Sequence, residues 1–221
     1  MRRVYVDPAA PQSDAIEEAA TWIRDGGVVA IPTDTLYGLA VDPFNAAAVA
    51  RLFAVKGRPA ERAVPLIAAD AAQVTARIAA LNKTAAALAA RFWPGPLTLL
   101  LPAPVPLARD VSSAAGRVGV RVPADPIARA VCAAVGWPVT ATSANISGVP
   151  ATSDPDVVER TLGASVDLLI DTGCTPGGAP STIVDVTVIP PRLVRAGAVP
   201  WSEIEACLPA DHDSNARRSS A

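Results

Sequence analysis

Histidine is almost missing from this chain. The single one, His212, lies in a polar C-terminal stretch with no apolar face to order it. Histidine acid–base catalysis, Ser-His-Asp triads and histidine-held metals are thus left without their central residue. Cysteine is also sparse. The three, Cys132, Cys174 and Cys207, are far apart and form no CxxC pair, which speaks against a zinc site or a disulfide framework and fits a reducing cytoplasm. No GxxxxGK[ST] occurs, and no GxGxxG follows a strand, so neither a P-loop nor a dinucleotide site is supported. The longest uncharged stretch, between Arg91 and Arg109, holds five prolines and is no membrane helix. The opening MRRVYVDPAAP has a basic start but no apolar core, unlike a signal peptide. A formal net charge of −2 gives no general attraction for polyanions, so any RNA contact would need a local patch. Aromatics are scarce, and Trp93 and Trp137, beside prolines, read as packing residues.

What is present reads as a soluble α/β domain. A length of 221 residues suits one domain over 1–208, with a polar, aperiodic tail over 209–221 expected to be disordered. Asp14 with Glu17 has the spacing of a capping box ahead of Ile16, Ala19, Ala20 and Ile23, and Gly26-Gly27 stops that helix. Asn45 caps a second helix that ends at Gly57. Asp70 with Gln73 opens a third, running to about Leu81, and a fourth breaks at Pro94. Asp125-Pro126 and Asp154-Pro155 open two more, and the last covers Trp201 to Leu208. Strands are predicted over 28–31, 64–68, 97–101, 118–122, 139–142, 166–170, 182–186 and 192–194. Helices alternate with strands early and strands cluster late, which predicts an α/β fold with a mixed sheet.

Small polar and basic groups gather at the ends of these strands. Pro32-Thr33-Asp34-Thr35-Leu36-Tyr37-Gly38 follows the first buried strand, where α/β sheets bind ligands, although Thr33 and Asp34 could equally hold a turn. Lys56-Gly57-Arg58 closes a helix, where cations either cap the last carbonyls or meet a polyphosphate. Arg121 sits within an apolar strand and needs an anionic partner, either a carboxylate of the chain or that of a ligand, with the strand setting favouring the ligand. Ser143 and Asn145 share a side after the 139–142 strand, and without a histidine Ser143 reads as a hydrogen-bond donor rather than a nucleophile. Ser181 and Arg195 add a hydroxyl and a cation. Gly173 to Ala179 reads as a plain flexible loop. Together these groups suit a site that binds and orients a highly anionic substrate by position and electrostatics.

The ordered set PTDTLYGL, KGRP, FWPGPLT, VGVRVP, SANISG, STIVD and LVRAG, spread from about Val28 to Gly197, resembles the YrdC-like threonylcarbamoyl-adenylate synthases of the short, single-domain type. The resemblance implies a twisted mixed β-sheet flanked by helices and enclosing a basic cavity. It implies a reaction joining L-threonine, bicarbonate or CO2, and ATP with Mg2+, to give threonylcarbamoyl-AMP and pyrophosphate. A downstream threonylcarbamoyl-transferase would then modify tRNA in the cytoplasm, with weak binding of tRNA or double-stranded RNA and no membrane. By motif position, Thr33, Arg121, Ala141 and Ser181 would hold threonine. Lys56, Arg58, Ser143, Asn145 and Arg195 would hold ATP, Lys56 and Arg58 also acting in catalysis, and no residue is assigned to a metal. The 60–69 segment departs from the pattern, with Ala68 and Ala69 where some members carry a histidine. Two rival readings are a carbamoyl-adenylating module of the same fold, and an RNA-binding module without catalysis.

Overall fold

The computed structural model describes residues 1–57, 63–104 and 106–208; Arg58, the rest of the segment after it to residue 62, and the predicted tail lie outside the described residues. Among the described residues there are eleven strands, seven α-helices and one short 3-10 turn (Arg109–Val111). The first half runs β1 (Arg2–Tyr5), α1 (Ser13–Arg24), β2 (Val29–Ile31), β3 (Gly38–Ala40), α2 (Ala46–Lys56), β4 (Leu66–Ile67), α3 (Ala71–Arg77), α4 (Lys83–Phe92) and β5 (Leu97–Pro102). The second runs β6 (Arg117–Arg121), α5 (Pro126–Val135), β7 (Val139–Thr140), β8 (Thr142–Ser143), α6 (Pro155–Leu162), β9 (Leu168–Asp171), β10 (Thr182–Asp185), β11 (Arg192–Arg195) and α7 (Trp201–Glu205).

The α/β class expected from the sequence holds, but the strands form two mixed sheets rather than one. Their orders are β1-β9-β2-β3-β8 and β11-β10-β5-β6-β4-β7. The predicted strand over 139–142 is split at Ala141. Its first half pairs with β4 in the second sheet and its second half with β3 in the first. Ala141 is therefore the corner where the chain crosses from sheet to sheet, and its amide donates to the Pro65 carbonyl at 2.8 Å. The buried Thr140 hydroxyl fastens the corner, accepting from the Val41 amide at 2.9 Å and donating to the Leu39 carbonyl at 3.3 Å.

Side-chain alternation along the strands decides what each face does. In β5, Leu97, Leu99 and Leu101 are buried in the main core, while Thr98 and Leu100 face away from it. In β6, Val118 and Val120 join that core, leaving Arg117, Gly119 and Arg121 on the opposite face. The first sheet is covered on both sides. Val28, Ala30 and Leu169 belong to the main core, whereas Val29, Ile31, Leu168 and Ile170 pack with α1 and α5 in a second one. Burial on both faces explains why these strands read as unbroken apolar runs.

Most helix ends are where local chemistry puts them. Asn45 accepts from the amides of Ala47 and Ala48, and Gly57 ends α2 with φ 56° in the left-handed region. Asp70 accepts from the Gln73 amide at 2.7 Å, and the Gln73 side chain returns the favour to the Ala69 amide at 2.9 Å. Asp14 is an exception. Helix α1 starts two residues earlier than its capping box predicts, with Gln12 at the N-cap making no side-chain bond, so Asp14 lies in the first turn and complements the helix dipole. Helix α3 also stops short of Leu81, at Arg77. Among the described residues no helix is long and apolar enough to cross a membrane.

Candidate functional site

A cavity of about 640 Å³ lies where the two sheets face one another. Its floor is the outward face of the second sheet, formed by Thr98 and Leu100 of β5, Arg117, Gly119 and Arg121 of β6, and Ile183 of β10. Gly38 of β3 and Ser143 of β8 bring in the first sheet, and the loops after β2 and before β10 complete the wall. Six of the residues singled out from the sequence line this one space: Thr33, Arg121, Ala141, Ser143, Ser181 and Arg195.

The turn after β2 is held by its own side chains. The Thr33 hydroxyl donates to the Leu36 carbonyl at 2.7 Å and accepts from the Thr35 amide at 3.2 Å, so it secures the turn and also faces the cavity. Asp34 answers the question raised by the buried arginine. Arg121 Nη1 donates to both carboxylate oxygens, at 3.0 and 2.9 Å, so its partner within the chain is a carboxylate of the chain itself.

Lys56 reaches from the last turn of α2 into the SANISG segment. Its ammonium donates to the Ser143 carbonyl at 2.6 Å, and to the carbonyl and side-chain oxygens of Asn145 at 3.0 and 3.2 Å. In return the Ser147 amide donates to the Lys56 carbonyl at 2.9 Å. Lys56 and Asn145 thus stand behind Ser143 rather than on the cavity wall.

Across the space, Arg195 donates to the Ser181 carbonyl at 2.7 and 3.2 Å and to its hydroxyl at 3.1 Å. Burial and, after it, the positive charge of Arg121 hold the Arg195 guanidinium below the usual arginine value. Both guanidinium groups line the same cavity, where added negative charge is favoured.

The loop over 173–179, expected to be flexible, is stitched down instead. The Thr175 hydroxyl and the Gly177 amide both donate to the Thr35 carbonyl, at 2.8 and 2.7 Å. The buried Tyr37 hydroxyl donates to the Gly173 carbonyl at 2.7 Å and accepts from the Thr172 amide at 3.2 Å. Burial raises the Tyr37 phenol, which suits a fixed neutral donor.

Arg117 is a wall residue that the motif reading passed over. It pairs with Asp185, which is fully buried. Burial alone would push the Asp185 carboxyl up, but the Thr187 hydroxyl and amide, then Arg117 and Arg192, outweigh it and hold it below the usual range. Period-two spacing from Arg121 through Gly119 to Arg117 was the available signal. Thr98 and Asp34, both inside quoted motifs, were likewise without an assigned role.

Gly197 explains one glycine of the LVRAG motif. A Cβ there would lie 2.3 Å from the Pro180 carbonyl oxygen and 2.5 Å from the Ser181 carbonyl carbon, both backbone atoms that cannot rotate away. Gly197→Ala is therefore expected to push Ser181 off the wall and cost about 2–3 kcal/mol of stability, checked by urea unfolding.

Among its described lining residues the cavity holds no cysteine or histidine, so its serine and threonine hydroxyls have no imidazole to activate them. Among the described residues no cluster of three or more His, Cys, Asp or Glu could hold a metal, and burial pushes the Cys132 thiol up to about 12. What it does offer is a set of oriented hydroxyls, amides and guanidinium groups.

Comparison with known proteins agrees with this geometry. Residues 21–197 match the Sua5/YciO/YrdC family model, described as "Telomere recombination". A threonylcarbamoyl-AMP synthase of Pyrococcus abyssi is 40% identical over 193 residues, covering 87% of this chain and 57% of that protein. Another, of Halorhodospira halophila, is 40% identical over 163 residues, covering 74% of this chain and 85% of its own length. The crystal structure of P. abyssi Sua5 complexed with L-threonine superposes with a TM-score of 0.88 at 37% identity, covering 94% of this chain and 61% of that one. The chain thus spans a little over half the length of the Pyrococcus relative and most of the Halorhodospira one. With a matching fold, a matching family model over most of its length and these relatives, the chain belongs to the Sua5/YciO/YrdC family.

Proposed function

We propose that this chain is an L-threonylcarbamoyladenylate synthase, a nucleotidyltransferase acting in the cytoplasm through one catalytic unit over 1–208. The observation that carries the reading is that Arg121 and Arg195 line one cavity together with the hydroxyls of Thr33, Ser143 and Ser181, with no histidine or cysteine among its described lining residues. That suits a reaction in which the substrates supply every reacting atom. The nitrogen of L-threonine adds to CO2 and loses a proton to give a carbamate; starting from bicarbonate, the same carbamate forms with loss of water. A carbamate oxygen then attacks the α-phosphorus of ATP, the bond from that phosphorus to the bridging oxygen breaks, and pyrophosphate leaves.

Arg121 receives the threonine carboxylate beside Thr33, Ser181 and the Ala141 backbone. Lys56, Ser143, Asn145 and Arg195 serve the nucleotide, as does Arg58 by its motif position. Mg2+ would arrive on the ATP phosphates, since the described residues supply no cage for it, and would neutralise phosphate charge there. A downstream transferase would then carry the threonylcarbamoyl group to tRNA.

The test is pyrophosphate release from ATP with L-threonine and bicarbonate each present or omitted. Release that needs both supports the synthase. Release prompted by carbamoyl phosphate instead would favour the carbamoyl-adenylating reading. No release under any condition, with salt-sensitive RNA affinity, would leave a binding module.

A further inference from the structure

The FWPGPLT and VGVRVP motifs meet on the cavity floor at two residues with no assigned role, Thr98 and Gly119. Thr98 is 4% exposed, and its hydroxyl lies 2.8 Å from that of Ser181. Arg195 Nη2 donates to the same Ser181 oxygen at 3.1 Å. A serine hydroxyl has two lone pairs and one proton. Arg195 takes one lone pair; a proton from Thr98 on the other would leave the Ser181 proton to point into the cavity. Toward the cavity Ser181 would then offer only its proton, the form that suits a carboxylate.

Gly119 makes room for this. It lies between Arg117 and Arg121 on the cavity face of β6, and a Cβ there would sit 3.1 Å from Thr98 Cγ2. The next contacts, Leu100 Cδ2 at 3.5 Å and Pro65 Cβ at 3.7 Å, leave Thr98 the one side chain under pressure. An alanine would press on the threonine methyl and turn its hydroxyl from Ser181.

We propose that Thr98 is a positioning residue that donates to Ser181 and fixes its hydroxyl as a donor to the substrate carboxylate, and that position 119 is bare so that Thr98 can hold this rotamer. The proposal deepens, and rests on, the synthase reading above.

The experiment uses the full chain and four variants: Thr98→Val, Thr98→Ser, Gly119→Ala and the double variant Gly119→Ala/Thr98→Ser. Thr98→Val is expected to raise KM for L-threonine about tenfold, one hydrogen bond to a charged-ligand site, with KM for ATP and Tm little changed. Valine suits a strand, so folding is preserved. Thr98→Ser keeps the hydroxyl and should stay near wild type. Gly119→Ala is expected to raise the same KM about fivefold, and the double variant, lacking the methyl, to return to the Thr98→Ser value.

An unchanged KM in Thr98→Val, a Thr98→Ser as impaired as Thr98→Val, or no rescue in the double variant overturns the proposal. If wild type itself releases no pyrophosphate, the synthase reading is what fails. Crystal structures of wild type and Thr98→Val then decide the link. A Ser181 hydroxyl that rotates away in Thr98→Val supports it, and one that stays in place overturns it.

Discussion

Arg121→Ala is expected to lower kcat/KM for L-threonine by about 10²- to 10³-fold, the largest effect of any single change on the cavity floor. Two losses combine. The guanidinium, 9% exposed on the cavity face of β6, is the receptor proposed for the substrate carboxylate. Its removal also strips Asp34 of the two bonds from Arg121 Nη1, turning a neutral pair into a bare carboxylate beside the site. A bare anion repels the ligand that the arginine attracted. Arg121→Lys keeps the charge but loses the planar fork, so it should fall between the two. In Arg121→Ala/Asp34→Asn the repulsion is gone and part of the activity should return. Initial rates against threonine concentration read all three. An unchanged KM for L-threonine in Arg121→Ala would remove the arginine from that role.

Lys56→Met is expected to reduce kcat/KM for ATP about 100-fold and to lower Tm by about 5 °C. Lys56 is 4% exposed, and its ammonium holds three oxygens of Ser143 and Asn145. Methionine preserves the buried stem but withdraws the ammonium from all three; the Ser143 carbonyl and the Asn145 side-chain oxygen keep their bonds from the Asn145 amide and the Ser143 hydroxyl, while Ser143 loses the support that keeps it on the wall. Thermal melts and ATP saturation curves separate two roles. A lower Tm with unchanged ATP kinetics would make Lys56 a strut between α2 and the SANISG segment. Loss in both is the result expected for a group that also holds Ser143 in place for the nucleotide.

The KGRP and SANISG motifs, read separately, look like a helix terminus and a strand-end polar cluster. The structure makes them one unit, with Lys56 donating into the second and the Ser147 amide donating back to the Lys56 carbonyl. Similarly, the 173–179 loop carries turn residues that suggest freedom, yet Tyr37 holds it at Gly173 and Thr35 at Thr175 and Gly177. Neither link is visible locally, because each joins residues far apart in the chain. Arg121 shows the same limit. Burial of a charge inside a strand demanded an anion, but Asp34, 87 residues away, could be identified only once the sheets were placed.

Elements whose signals are short-range were determined by the sequence alone. Asn45, Asp70, Asp125-Pro126 and Asp154-Pro155 start helices because a side-chain oxygen reaches an amide two or three residues on, and Gly57 and Gly136 end them because φ is positive there. The apolar strands of the core were equally legible. Strands β1 and β3 were not, being short and defined by their partners rather than by periodicity. The break at Ala141 was hidden too, since the two halves differ only in which strand each pairs with. Only the tertiary structure decided that two sheets, not one, contribute to the cavity lining, and which side chains meet there. Capping and alternation are settled within a few residues, whereas pairing across a cavity is settled by sheet order, which depends on the packing of the whole chain.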